Sequence, residues 1–171
     1  MDEDGFDDFL VTALGELHRF GYLLSHSATT ADDLTQFALV KTLGAWPRLR
    51  DSDVDRQMAY ARRIMANAHI SWWRGWSARV TPGAVPERHD VDDPVAAWAE
   101  RDALVRALGL LPKRQRTVLV LRYYAGLSEA EIAATLKWRP GTVKSTASRA
   151  LTGLRSILTT EAADRDQEAR T

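Results

Sequence analysis

An all-α protein of two small helical domains joined by a flexible linker is the architecture this sequence predicts, and three observations predict it. Apolar residues recur at threes and fours nearly throughout, and no segment alternates with the period of two that a half-buried strand requires. Residues 79–94, RVTPGAVPERHDVDDP, combine three prolines, a Pro-Gly turn signal and an acidic run, and so interrupt the helical pattern near its middle. Helix start and stop residues punctuate both halves. The 171 residues therefore divide into a bundle at 1–78, a linker at 79–94, a second helical domain at 95–160 and a short, charged, frayed tail at 161–171.

In the first half, Phe6, Phe9, Leu10, Ala13, Leu14, Leu17 and Leu24 share a helical stripe, which places a first helix from about Gly5 to about Ser25. Thr30-Ala31-Asp32-Asp33 reads as a capping-box-like start with acids in the first turn. The second helix it opens ends at Trp46, because Pro47 cannot continue it. Leu34, Phe37 and Ala38 lie on one side of this helix and Leu39, Leu43 and Trp46 on another. It is either buried all round in a three-helix bundle, or it turns one side to a partner. A third helix starts near Val54 and runs to about Ala78.

In the second half, AAWAERDALVRALGLLP is an amphipathic helix stopped by Pro112. KRQRTVLVLRYYAG is apolar on most faces, hence largely buried, and Gly126 ends it as a left-handed C′ residue would. Ser128 and Glu131 form a capping box for a short helix to about Leu136. Pro140 suits the first position of a last helix reaching about Thr160.

Composition removes several function classes. With no cysteine, disulfides, thiol catalysis and cysteine-ligated zinc are excluded. The four histidines, His18, His26, His69 and His89, have no metal-ligand spacing, and no cofactor is expected. No apolar run nears the roughly 18 residues of a membrane span and no leader precedes a cleavage site, so the expectation is a cytoplasmic protein without a membrane partner. Neither clustered carboxylates for a two-metal site nor a nucleophile with its base is visible, so no enzyme is expected.

Formal charge is zero, but its distribution is uneven. Residues 112–160 carry a net +7 and residues 55–79 a net +4, with −3 over 81–111 between them. Two basic blocks separated by an acidic one suit two contacts with a polyanion.

LSEAEIAATLKWRPGTVKSTASRALTGL has the size and punctuation of a helix-turn-helix. Val143, Ala147, Ala150, Leu151, Leu154, Ile157 and Leu158 form one buried stripe on its second helix. The opposite face and the preceding turn carry Arg139, Thr142, Lys144, Ser145, Ser148 and Arg149, with Thr152 beyond them. Small hydroxyls let a helix approach a major groove, and arginine can pair bidentately with guanine. Thr142, at the third helical position, can offer its amide and hydroxyl to a phosphate.

The other basic block contains RRIMANAHISWWRGW. At 100° per residue, Ala61, Ile64, Met65, Ala68 and Trp72 form the core stripe. Arg62, Ala66, His69, Trp73 and Trp76 lie beside it, and Arg63, Asn67, Ile70 and Arg74 make a third face. Rings beside arginines suit single-stranded DNA, whose bases stack while cations follow the phosphates. Equally, Trp73 and Trp76 can cap the core edge while the arginines reach outward.

GLSEAEIAATL followed by GTVKS and RAL resembles region 4 of the bacterial sigma factors, specifically the compact extracytoplasmic-function group. The first half tests this. ADDLTQFALVKTLGAW is similar to the family's region 2.2, with Asp33, Leu34 and Gln36 matching and Phe37 standing where an acid is usual. The resemblance implies contact with the polymerase clamp by Asp33, Leu34, Gln36, Phe37, Val40 and Lys41. YARRIMANAHISWWR resembles regions 2.3 to 2.4, with Tyr60-Ala61 in place of Trp-Leu and Ser71 in place of a frequent Asp. It implies that Asn67 lines a pocket for a base flipped from the −10 non-template strand, with Arg62, Arg63, His69, Trp73 and Arg74 around it. The implied partners are core RNA polymerase, promoter DNA as −35 duplex and melted −10 strand, and an anti-sigma factor as a further candidate. The competing reading is a stand-alone helix-turn-helix regulator.

Overall fold

The structure, a computed structural model, describes residues 5–77 and 102–168. Among these residues every regular element is a helix. The first half is three helices: α1 (Phe6–Ser25), α2 (Ala28–Leu49) and α3 (Val54–Ser77). They pack mutually around Leu17, Leu24, Leu34 and Met65, all fully buried. Trp46 closes one end, its ring 5.0 Å from Phe6 in an edge-on contact and 5.4 Å from Phe9. At Gly21 α1 and α2 approach closely: a Cβ there would stand 3.1 Å from the Ala31 backbone.

Two boundaries of the first half differ from the sequence expectation. The N-cap of α2 is Ser27, whose hydroxyl accepts the Thr30 amide at 3.1 Å, so the helix begins before the Thr30 start. Pro47 does not end α2, which continues to Leu49 and into the Arg50 amide bonding Trp46 O at 2.9 Å. Proline removes one donor, but Trp46 and Leu49 are both buried, and continuing the turn is what seats Leu49 in the core. The buried Gln57 amide then ties the α2–α3 turn, donating to Leu49 O and Ser52 O at 3.1 Å each.

The second half comprises α4 (Ala103–Leu110), α5 (Lys113–Leu119) with a π-helical turn over Val120–Tyr124, α6 (Glu129–Leu136) and α7 (Pro140–Glu168). The expected linker at 79–94 and the first residues of the expected helix before Asp102 lie outside the described residues. Asp102, expected inside a helix, is instead extended and is the N-cap of α4, accepting the Leu104 amide at 2.8 Å, so the described helix begins at Ala103. Gly126, at φ +70°, ends the buried hairpin arm as expected, and the Leu127 amide reaches back to Leu121 O at 3.0 Å. The Ser128–Glu131 capping box forms in both directions. Hydrogen bonds from the Ser128 hydroxyl and amide hold the Glu131 carboxyl below its ordinary range.

Helix α7 runs past Thr160 through Glu168, so most of the tail read as frayed is helical. EAADRDQE contains neither glycine nor proline and is rich in helix formers, and Glu161 meets Arg106 at 3.6 Å.

The two halves are packed together. Phe20, Leu24, Val105, Val118 and Leu121 belong to one hydrophobic cluster, with α1 against α4 and α5, and α3 against α6.

Candidate nucleic-acid interface

The helix-turn-helix is built as the spacing requires. Of the expected stripe, Val143, Ala147 and Ala150 of α7 are buried against α5 and α6, while Leu151, Leu154, Ile157 and Leu158 are half-buried; the opposite face turns outward. Arg139, Lys144, Ser145, Ser148 and Arg149 are all exposed on that face, and Thr142 is half-buried beside them. The Arg149 guanidinium folds back along its own helix, donating to Ser145 O at 3.2 Å. One element of the sequence reading is corrected: the Thr142 amide bonds Arg139 O at 2.9 Å, so only the hydroxyl remains for a phosphate. Trp138, just before α7, carries Arg114 over its ring at 4.2 Å, a cation–π contact that braces the turn.

On the first domain, a cavity of about 460 Å³ opens between α2 and α3, lined by Phe37, Lys41, Tyr60, Arg63, Ile64, Asn67, Ala68 and Ser71. Two rings, two cations, an amide and the hydroxyls of Tyr60 and Ser71 line it, and no carboxylate does so among the described residues. Tyr60 was missed by the sequence reading, although 60, 63, 64, 67 and 71 share one helical face at steps of three and four. Of the expected face of Arg63, Asn67, Ile70 and Arg74, Arg63 and Asn67 line the cavity while Ile70 is buried.

The six residues assigned to polymerase contact separate. Asp33, Gln36, Phe37, Val40 and Lys41 are exposed, and Val40 is 69% exposed. Leu34 is fully buried, because it falls with Ala38 and Thr42 on the core side of α2, and it cannot touch a partner. Trp46, read as lying on the opposite side, is core as well.

Of the residues assigned to the −10 strand, Arg63 and Asn67 stand at the cavity. Arg62 instead pairs with Glu16 of α1. His69 is only 4% exposed and is no surface contact here: it lies under the second half. Burial, and then the neighbouring Arg116 and Lys113 cations, push its pKa down to about 4, so the ring is neutral at physiological pH. The side chains of Trp72, Trp73, Arg74 and Trp76 lie outside the described residues.

A helical bundle with a basic, ring-walled cleft, coupled to a helix-turn-helix with an open polar face, defines a DNA-binding transcription protein. Residues 10–79 match sigma-70 region 2 and residues 101–154 match sigma-70, region 4. The chain is 37% identical over 167 residues to the RNA polymerase sigma-E factor of Streptomyces avermitilis, covering 96% of this chain and 89% of that protein. It is 33% identical over 140 residues to the ECF RNA polymerase sigma factor SigD of Mycobacterium tuberculosis, covering 77% of this chain and 65% of that one. Among solved structures it resembles the sigma factor RpoE of Bartonella quintana, crystallised with the anti-sigma factor NepR, at a TM-score of 0.64 and 26% identity over 92% of this chain and 98% of that one. The chain belongs to the sigma-70 family of RNA polymerase sigma factors, in its extracytoplasmic-function group. The stand-alone regulator is thereby set aside.

Proposed function

We propose that this sigma factor divides promoter recognition between its two outward faces. The Arg139–Arg149 face of α7 enters the major groove of the −35 element, with Lys144 and Thr142 on phosphates and Arg149 reading a base edge. The α2–α3 cavity receives one unpaired base of the −10 non-template strand. Asn67 donates to and accepts from its pairing edge, Tyr60 and Phe37 supply ring surface, and Arg63 and Lys41 neutralise the adjoining phosphates. Asp33, Gln36 and Val40, on the neighbouring surface of α2, dock on core polymerase. The two DNA contacts need no catalytic group: capture of the base offsets the few kcal/mol needed to unstack and unpair it.

One observation carries this reading: Asn67 and Arg63 open into a cavity with two aromatic walls and, among the described residues, no carboxylate. An anti-sigma protein is a further partner in this reading, by similarity to the Bartonella factor. Run-off transcription with purified core polymerase tests it. Asn67→Ala should retain core binding and lose promoter opening; unchanged permanganate reactivity of the −10 thymines would remove the pocket from the mechanism.

A further inference from the structure

The α2–α3 cavity is larger than a single base requires. Its volume of about 460 Å³ falls within the roughly 300–1,000 Å³ of sites that enclose a drug-sized ligand of several rings, whereas one nucleobase brings one ring system. Its lining is also doubled. Phe37 and Lys41 stand one helical turn apart on α2, with the ammonium 5.6 Å from the centre of the Phe37 ring. Tyr60 and Arg63 stand one turn apart on α3 and line the same cavity. Each helix thus contributes one ring and one cation. That is the unit by which a protein holds one nucleotide of a single strand, the base stacking while the cation meets a phosphate. Both aromatic residues are exposed, Phe37 at 37% and Tyr60 at 36%, whereas those that pack the core, such as Phe20 and Trp46, are buried.

The groups that can read a base edge are not doubled. Asn67 lies one turn beyond Arg63 on α3, and Ser71 one turn further, so the amide and its neighbouring hydroxyl both belong to the Tyr60 side. The α2 wall offers a ring and an ammonium and no side-chain acceptor.

We infer that the cavity takes two successive nucleotides of the melted strand, one read by Asn67 beside Tyr60 and its neighbour held by stacking on Phe37. This rests on the −10 reading proposed above and extends it from one nucleotide to two. The second base takes a face of the Phe37 ring, and the flexible Lys41 side chain moves to the phosphate that joins the two nucleotides. Stacking tolerates any sequence because every base has a π-face. The Phe37 subsite therefore fixes the path of the strand, while the Asn67 subsite carries the base preference.

The test uses holoenzyme assembled from core polymerase and the full chain. It binds a fluorescent −10 non-template oligonucleotide in which one abasic site is moved along the strand. Each affinity is taken relative to the intact strand on the same holoenzyme at saturating core polymerase, so a change in core binding cancels. Two adjacent abasic positions should each weaken binding about tenfold. Phe37→Ala should erase the penalty at one of the two and keep it at the other, and Tyr60→Ala should do the reverse. Exchanging the base at the Phe37 position should change affinity by less than about twofold, against about tenfold at the Asn67 position. A single sensitive position overturns the second subsite. So do two variants that act on the same position, since that is one base sandwiched between both rings. In either case Asn67→Ala still blocks promoter opening, and the one-base reading stands. Failure of that reading has a different signature: no sensitive position at all, and normal opening by the Asn67→Ala factor.

Discussion

Mild acid should weaken this fold through His69. The ring is enclosed between α3 and the second half, and its Nε2 has no hydrogen-bond partner among the described residues. Burial first, then Arg116 and Lys113, lower its pKa from 6.5 to about 4. A lowered histidine pKa favours the neutral folded form, so the stabilisation is complete above about pH 6.5, where the unfolded chain is neutral too. Below that the unfolded state takes up a proton that the folded state refuses. Stability then falls by up to about 1.4 kcal/mol per pH unit, and about 3 kcal/mol is lost by pH 4. Carboxylates titrate in the same range, so the comparison must be with His69→Gln, in which they are unchanged. Urea unfolding followed by circular dichroism from pH 7.5 to pH 4 should show the stability difference between wild type and variant shifting by about 3 kcal/mol against the wild type. Two pH profiles that run parallel would refute the account.

Three further outcomes follow from the site and its supports. Arg149→Ala should cost about 1–3 kcal/mol at one base pair of the −35 element in competition binding, whereas a uniform loss across sequences would make it a phosphate contact. Phe37→Ala should weaken binding of a −10 single strand to the holoenzyme by about 1–3 kcal/mol; a loss confined to core polymerase binding would return Phe37 to the docking surface. Ser128→Ala removes the α6 cap and should lower stability by about 1 kcal/mol in chemical denaturation. An unchanged midpoint would mean the capping box contributes nothing net.

Most of the architecture was legible in the chain because local rules govern it. Gly126, the Ser128–Glu131 box and Pro140 act within one turn, and each sits where its chemistry required. Pro47 misled because it forfeits one amide donor near the end of α2, where the helix still continues to the buried Leu49. Thr160 misled because a hydrophobic stripe marks where a helix is packed and does not mark where it stops. At the site, the exposed face of α7 followed from its periodicity. The α2–α3 cavity did not, since it depends on which sides of two helices meet: Leu34 turned inward, Phe37 outward, and Tyr60 joined Asn67.

By itself the sequence determined the helical class, several of the caps, the polar outward face of α7 and the sigma-factor family. Each of these is encoded by residues near one another or by a motif read in order. Only the tertiary structure decided that Arg116 ends on α1, that His69 is enclosed and neutral, and that Arg62 is held by Glu16. Those contacts join residues 46 to 92 positions apart, and no periodicity reports across such a gap. What selects them is the shared need of a helix end, a buried cation and two apolar faces to leave water together.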